Sequence, residues 1–235
     1  MPRHTTTAAL LALAFVLAAC GGESAEPATT SSTVDQGTID SPEYLAFSAQ
    51  PTACGAESPA AARRMSFSEP MDLGLDGVVG VILHTSCGEI TLELFADSAP
   101  ATVNSFVFLA EQGYFDGTVS HRVVPGFVIQ AGDPTATGRG GPGYSLPDEL
   151  PEQGFVYTRG IVAMANAGPN TGGSQFFLVL GDVPLNPDFS VFGTVIAGFD
   201  VMDKIAALRL TARGAGQEPS SPLETLYLES VEIRR

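Results

Sequence analysis

The chain has 235 residues, of which 44% are hydrophobic and 16% charged, and its formal net charge is −15 at pH 7. This acidity argues against nucleic acid and against electrostatic docking on an anionic membrane, because both need clustered lysine and arginine side chains. Three cysteines are too few for a disulfide-built scaffold, and 26 glycines with 17 prolines indicate many turns.

Residues 1–19 have the pattern of an export signal. A short basic start precedes twelve small or apolar residues, Ala8 to Ala19. As a helix they would rise about 18 Å, well short of the ~30 Å hydrocarbon core of a bilayer. The sequence Leu17–Cys20 (LAAC) resembles the lipobox of bacterial lipoproteins, in which the cysteine carries lipid, although an ordinary signal with a chance cysteine is the alternative. We therefore predict lipidation of Cys20 and an extracytoplasmic protein anchored by lipid to a bacterial cell membrane.

Residues 20–75 are predicted to form a flexible tether. Of the 50 residues from 21 to 70, 31 are Gly, Pro, Ser, Thr or Ala, and only seven are large and apolar. So few apolar side chains do not offset the entropy lost when a chain is ordered. The segment Tyr44–Phe47 is the exception, because its apolar side chains could pack locally.

Two cysteines remain if Cys20 carries lipid. Outside the cytoplasm, thiols such as Cys54 and Cys87 usually pair or stay buried. A bridge between them would attach the tether to the first hairpin of the following domain, whereas two unpaired cysteines are the alternative. Two cysteines with no histidine nearby supply too few ligands for a metal site, so we expect none.

Residues 76–235 are predicted to form one domain rich in short strands. The clearest strands are Val78–His84 and Glu89–Phe95, joined by a turn, and a further strand at Leu226–Ile233 ends the chain. Helices are predicted from a cap at Asp97–Ser98 to Gly113, and from Asp200 to Leu208. Many short strands with only two helices predict a closed antiparallel barrel.

Four segments of this domain carry specific motifs: Ser120–Asp133 (SHRVVPGFVIQAGD), Ile161–Thr171 (IVAMANAGPNT), Gly173–Phe177 (GSQFF) and Val191–Gly193 (VFG). In this order and spacing they closely resemble the cyclophilin family of peptidyl-prolyl cis-trans isomerases, over nearly all of residues 78–233. The resemblance implies an all-β-dominated fold, a closed eight-stranded antiparallel barrel capped by two α-helices. It also implies a surface groove that binds an extended Xaa-Pro segment.

The resemblance places the catalytic arginine of the family at Arg122. A guanidinium near the prolyl nitrogen can donate to the lone pair that forms only when the amide is twisted, so it stabilises the transition state selectively. Gln130 is expected to orient Arg122 or to bind a substrate carbonyl, and Asn166 to hold the peptide preceding proline. The remaining substrate-binding residues are implied to be Phe127, Val128, Ala165, Ala167, Gln175, Phe177, Leu185 and Phe189.

Rotation about an amide breaks no bond, so no cofactor, metal or nucleophile is expected. His84 and His121 have no serine or cysteine nucleophile nearby, which argues against hydrolase chemistry. The segment Gly138–Gly143 lacks the Lys-Ser/Thr ending of a phosphate loop and is expected to be a flexible loop bordering the groove.

Three positions depart from the family pattern. Pro184 occupies a position where the family often has tryptophan, Phe189 one where it often has histidine, and Val128 one where methionine is commoner. The changes at Pro184 and Phe189 argue against binding of cyclosporin-type macrocycles but not against isomerisation, because Arg122 and the pocket floor are retained. We predict a monomeric prolyl isomerase that assists the folding of exported proteins by acting on their Xaa-Pro segments. The alternative is a non-catalytic proline-peptide-binding module or a cell-envelope scaffold.

Overall fold

The computed structural model describes residues 1–2 and 34–235 of the chain. Residues 3–19 of the predicted signal peptide, the lipidation site Cys20 and the first part of the predicted tether lie outside these residues. Within the described residues, no helix is both long and apolar enough to cross a bilayer.

Among the described residues, nine strands form one antiparallel sheet, in the order β5-β13-β3-β4-β10-β8-β9-β7-β6, and two small sheets pair β1 with β2 and β11 with β12. The strands are β1 (Val34–Thr38), β2 (Arg63–Ser66), β3 (Val78–Thr85), β4 (Gly88–Phe95), β5 (Thr118–Val119), β6 (Arg122–Val124), β7 (Val128–Ala131), β8 (Ile161–Met164), β9 (Phe176–Val179), β10 (Val191–Ala197), β11 (Leu210–Thr211), β12 (Ser221–Pro222) and β13 (Tyr227–Arg234). The helices are α1 (Pro42–Ser48), α2 (Pro100–Glu111) and α3 (Phe199–Ala206), and Ala53–Gly55 forms a 3-10 turn.

The first predicted hairpin is present, with β3 and β4 paired from Val78 opposite Phe95 to Thr85 opposite Gly88. Along β4 the buried residues alternate with more exposed ones, as expected of a strand with one face on the core. Gly88 has a φ of 128°, a backbone conformation that side chains disfavour, and a Cβ there would lie 2.9 Å from Val201. The turn therefore needs glycine for both conformation and space.

The prediction of a closed eight-stranded barrel with two helices is wrong in strand number, closure and helix number. The two edge strands β5 and β6 are separated only by Ser120 and His121, and they do not pair with each other. The chain bends between them, so that β5 pairs with β13 and β6 pairs with β7. The hydrogen-bond ladder of the nine strands therefore stays open at this bend. The helix that the prediction missed is α1.

The expected flexibility of the tether does not hold from residue 34 onward. There β1 pairs with β2, and α1 begins after Ser41, whose side chain accepts a hydrogen bond from the Tyr44 amide. Tyr44 and Phe47 are buried in a cluster with Val119 and with other residues of the domain. The segment is poor in apolar residues, but these pack against residues of the domain as well as against one another, so counting them along the segment underestimates their burial.

The predicted disulfide is present and attaches this segment to the β3–β4 turn. Cys54 and Cys87 are bonded, and their Cα atoms lie 5.2 Å apart. Cys87 is buried and lies in the same cluster as Ala53 of the folded segment. Phe67 of this segment lies in the main hydrophobic core, which is formed largely by the nine-stranded sheet and α2. Its ring meets that of Phe108 in α2 edge-on, with the ring centroids 5.1 Å apart.

Helix α2 begins at Pro100, but its N-cap is Ala99 rather than the predicted Asp97–Ser98, and a distant carboxylate caps it. The N-cap residue Ala99 offers no side-chain hydrogen bond. Instead the two carboxylate oxygens of Glu149 accept hydrogen bonds from the amides of Ala101 and Thr102, both at 2.8 Å. A carboxylate at this end satisfies two amides that the helix leaves without partners and also complements the helix dipole.

We expect Glu149→Gln to lower the free energy of unfolding by about 1 kcal/mol, the usual value of a lost helix cap. The amide keeps the shape of the side chain but loses its charge and one of its two acceptors. Urea unfolding of the variant should be compared with that of Glu152→Gln, a matched change at an exposed carboxylate nearby. Equal stability losses in the two variants would contradict the capping role.

Candidate functional site

Three adjacent strands bring the candidate site residues together. The turn after β6 folds β7 back, so that Arg122 lies opposite Gln130. On the other edge of β7, Gln130 lies opposite Phe177 of β9. Residues directly opposite in an antiparallel pair project from the same face of the sheet. The register therefore places these three side chains side by side, although they are up to 55 positions apart in the chain.

Nine of the eleven residues predicted for catalysis and substrate binding line one surface cavity of about 290 Å³. We call it the aromatic pocket. Its lining residues are Arg122, Phe127, Val128, Gln130, Ala165, Asn166, Phe177, Leu185 and Phe189. The other two, Ala167 and Gln175, line a neighbouring cavity of about 590 Å³ that shares Gln130, Ala165 and Asn166 with it. We call this second one the side cavity, and all eleven residues thus belong to one continuous site.

Aromatic rings form the walls of the aromatic pocket. Phe177 and Phe189 meet edge-on, with ring centroids 5.4 Å apart. The guanidinium carbon of Arg122 lies 5.5 Å from the centre of the Phe127 ring, within the range of a favourable cation–π contact. The pocket therefore offers an apolar cavity with a cation at its edge.

Tyr157 supports this wall, a role that the sequence pattern did not predict. Its ring is fully buried, and its hydroxyl donates to the carbonyl of Phe189 at 2.8 Å and accepts from the amide of the same residue at 3.3 Å. A lone tyrosine in a turn-rich segment carries no pattern that predicts such a role. Its two hydrogen bonds fix the backbone of the loop that carries Phe189.

A chain of side-chain hydrogen bonds orients Arg122. Arg122 Nη1 donates to Gln130 Oε1 at 3.4 Å, and Gln130 Nε2 donates to Gln175 Oε1 at 3.0 Å. Gln175 Nε2 in turn donates to the carbonyl of Gly140 at 2.9 Å. Partial burial lowers the pKa of Arg122 and the nearby Glu218 carboxylate opposes this shift, but an arginine remains a cation at neutral pH. The chain thus holds a charged donor in one orientation at the rim of the pocket.

The side chain of Asn166 is engaged within the protein. Its Nδ2 donates to the carbonyl of Asp188 at 2.8 Å, and its Oδ1 accepts from the amide of Gly168 at 3.3 Å. Asp188 precedes Phe189 in the chain, so these contacts join the two loops that form the mouth of the site. Any contact of Asn166 with a bound peptide is therefore left mainly to its backbone.

The glycine-rich loop borders the side cavity as predicted, but a buried carboxylate holds it in place. The two oxygens of Asp133 accept hydrogen bonds from the amides of Thr135 at 2.8 Å and Gly138 at 2.6 Å. At Gly140 a Cβ would overlap Asp133 Oδ1, so a glycine is required. These contacts indicate a loop held in one conformation, whereas the sequence had led us to expect a flexible one.

His121 is buried beside Arg122, and its Nδ1 has no hydrogen-bond partner in the described part of the chain. Burial lowers the pKa of His121 to about 4, with Asp133 opposing the shift and Arg213 and Arg122 adding to it. Its backbone carbonyl accepts a hydrogen bond from Arg213 Nη2 at 2.6 Å. The imidazole is therefore neutral at pH 7 and packs next to the site without offering a charge.

We expect the free energy of unfolding to decrease as the pH falls from about 6.5 to about 4. In this range the unfolded chain binds a proton at His121 that the folded protein excludes, and the free energy of unfolding decreases as the pH is lowered wherever the unfolded state binds more protons. Urea unfolding of the wild type and of His121→Gln, each at pH 7 and pH 5, measures this contribution. An equally steep pH dependence in the variant would contradict it.

Across residues 1–2 and 34–235, no group of three or more His, Cys, Asp or Glu side chains is arranged to hold a metal ion. What the site offers is an aromatic cavity, an oriented cation and a second cavity beside it. This arrangement can bind an apolar ring and place a positively charged donor beside it.

The comparisons with known proteins agree with this geometry. The family model described as cyclophilin type peptidyl-prolyl cis-trans isomerase matches residues 80–232. A peptidyl-prolyl cis-trans isomerase of Schizosaccharomyces pombe is 41% identical over 155 residues, which cover 64% of this chain and 100% of that protein. A peptidyl-prolyl cis-trans isomerase-like 3 of Dictyostelium discoideum is 42% identical over 159 residues, 66% of this chain and 95% of that protein.

Solved structures show the same relationship. A cyclophilin type peptidyl-prolyl cis-trans isomerase of Cryptosporidium parvum superposes with a TM-score of 0.61 at 32% identity, covering 67% of this chain and 98% of that chain. The structure of that protein in the presence of the dipeptide Ala-Pro gives a TM-score of 0.60 at 33% identity, covering 66% and 99%. From its motifs, its pocket and these relatives, the chain belongs to the family of cyclophilin-type peptidyl-prolyl cis-trans isomerases.

Proposed function

We propose that this protein accelerates rotation about Xaa-Pro bonds through Arg122, and that it does so outside the cytoplasm on the segments of exported proteins. The observation that carries the first part is the position of Arg122, a partly buried cation at the rim of an aromatic pocket, hydrogen-bonded to Gln130. The uncatalysed barrier is about 18–20 kcal/mol. Bringing exchange from tens of seconds to milliseconds requires lowering it by roughly 7 kcal/mol.

The aromatic pocket is suited to the proline ring. Phe127, Phe177 and Phe189 supply apolar surface that fits a saturated ring without hydrogen-bonding groups. With the ring held there, the guanidinium of Arg122 lies near the prolyl nitrogen. As the amide twists, the nitrogen regains its lone pair and accepts a hydrogen bond that the planar amide does not offer. The low polarity of the pocket strengthens this bond.

The extracytoplasmic location is supported by two independent features. Residues 1–20 combine a basic start, an apolar run and the sequence LAAC, which resembles a lipobox. Cys54 and Cys87 form a disulfide, and structural disulfides persist mainly in oxidising compartments. A lipid on Cys20 would anchor the protein at the membrane, where emerging chains with Xaa-Pro bonds are its substrates.

Exchange spectroscopy by NMR on a short Xaa-Pro peptide tests the catalytic part. Addition of the wild-type protein in substoichiometric amount should speed the interconversion of the cis and trans forms of the peptide, which is seen as exchange between their signals and as line broadening. Saturable peptide binding without acceleration would favour a binding module and contradict catalysis. Mass spectrometry of the mature N-terminus tests the anchor, because a lipid-modified Cys20 is expected, whereas an uncleaved signal or an unmodified cysteine would contradict it.

A further inference from the structure

The segment from residue 39 to residue 67 lies outside the family match, which begins at residue 80. We call this segment the N-terminal clamp, because it packs on the loop that forms one wall of the side cavity. This wall loop comprises residues 133–145, and its part from Gly138 to Ser145 lines the side cavity. The N-terminal clamp contacts the wall loop near both ends of that loop.

At one end, Ser41 Oγ donates a hydrogen bond to the carbonyl of Thr135 at 2.7 Å. The next residue, Ala136, is fully buried in the cluster that holds Tyr44 and Phe47 of the N-terminal clamp. Ala136 has a φ of 57°, a left-handed conformation that is uncommon for residues other than glycine. This end of the wall loop is therefore held in a specific conformation by packing and by one hydrogen bond.

At the other end, the amide of Phe67 donates to the carbonyl of Pro142 at 2.8 Å. The backbones come so close at Gly143 that a Cβ there would lie 2.7 Å from the carbonyl oxygen of Phe67. Phe67 is itself fixed in the main core against Phe108. Through Phe67, the N-terminal clamp therefore connects the wall loop to the main core.

Between these two ends, the wall loop contacts the catalytic site. The carbonyl of Gly140 accepts the hydrogen bond from Gln175, which is linked through Gln130 to Arg122. The side cavity also shares Asn166 with the aromatic pocket, on the side expected to hold the peptide preceding proline. A shift of the wall loop would therefore change the space that receives the residues before Xaa-Pro, with less effect on the proline pocket itself.

We propose that the N-terminal clamp is a positioning element of the enzyme, which sets the affinity for the substrate residues that precede the Xaa-Pro pair by holding the wall loop in place. The proposal rests on the proposed function of the site. Within the N-terminal clamp, the side chain of Ser41 donates a hydrogen bond to the wall loop. It acts through the wall loop and touches no reacting atom, so its effect must depend on substrate length.

Two replacements of Ser41 separate this role from folding. Ser41 also caps α1 by accepting a hydrogen bond from the Tyr44 amide. Ser41→Asp keeps an acceptor for this cap but cannot donate to Thr135, whereas Ser41→Thr keeps both functions. The full chain is titrated by NMR with two blocked peptides, acetyl-Ala-Pro-amide and the same pair extended by three residues on its amino side.

For Ser41→Asp, the Kd of the extended peptide should rise about three- to ten-fold, as expected from one lost hydrogen bond. The Kd of the short peptide should stay within about two-fold, and Ser41→Thr should behave as wild type with both peptides. Equal weakening for both peptides, or no change for either, would overturn the proposal. Because the readout is a ratio of affinities, it remains decisive even if the wild type fails to accelerate exchange, a failure that would count against the proposed catalysis alone.

Discussion

Arg122→Ala should lower kcat and kcat/KM for Xaa-Pro isomerisation by about 10²- to 10³-fold, the usual effect of removing one preorganised donor from an active site. The loss should fall on both parameters equally, because the planar amide does not accept the hydrogen bond and so gains little from it in the ground state. Peptide affinity should change little, since Phe177 and Phe189 still form the pocket. NMR exchange spectroscopy measures the rate, and titration measures the Kd.

The chain offers a matched control for this experiment. The guanidinium carbon of Arg159 lies 5.6 Å from the centre of the Phe199 ring, almost the same arrangement as Arg122 over Phe127 at 5.5 Å. Arg159 is also paired with Asp203 and is not among the lining residues of either cavity. Arg159→Ala removes the same charge and a similar ring contact and should leave the rate within about two-fold of wild type. A comparable loss in both variants would show that Arg122 acts through general charge or stability.

Arg122→Lys separates the effect of the positive charge of Arg122 from the effect of the direction of its donors. Lysine keeps the positive charge but replaces the planar fork of donors with a single ammonium group on a flexible stem. If the direction of the donor matters, this variant should recover only a small part of the activity lost in Arg122→Ala. Full activity in Arg122→Lys would mean that charge alone suffices and would contradict the orienting role given to Gln130.

The local pattern was enough to predict the hairpin of β3 and β4. Alternation along β4 and the turn before it are properties of adjacent residues, so they are visible in the sequence. The site residues were identified through resemblance rather than through periodicity. What the pattern alone could not supply is the register that places Phe177 beside Gln130, because it is set by contacts between distant parts of the chain.

The failures of prediction have the same origin. Tyr44 and Phe47 are buried only because Val119 and other residues of the domain cover them, and no count within their own segment shows this. Glu149 caps α2 from 48 residues away, so no local cap motif indicates it. The bend at Ser120 and His121, which separates β5 from β6, likewise follows from pairing with two different strands.

Removing the Cys54–Cys87 disulfide should lower the free energy of unfolding by about 3–4 kcal/mol. The bond joins residues 33 positions apart, and in the chain-entropy model a loop of this length restricts the unfolded chain by that amount. A typical domain has only about 5–15 kcal/mol of stability in total. The double variant Cys54→Ala, Cys87→Ala is compared with wild type by urea unfolding, with Cys20→Ser in both proteins so that only this pair of thiols is tested.

Reductant provides the matched control, because it should destabilise the wild type to the level of the double variant and leave the variant unchanged. A wild type that is insensitive to reductant, or a variant as stable as the wild type, would contradict the prediction.

The loss of stability on removing the disulfide should also differ between parts of the fold. The N-terminal clamp would keep only its hydrogen bonds and packing, so its amides should lose protection from hydrogen exchange before those of β3 and β4 do. Because the N-terminal clamp holds the wall loop, reduction should weaken binding of the extended peptide more than binding of the short one, which joins the stability of this segment to substrate recognition.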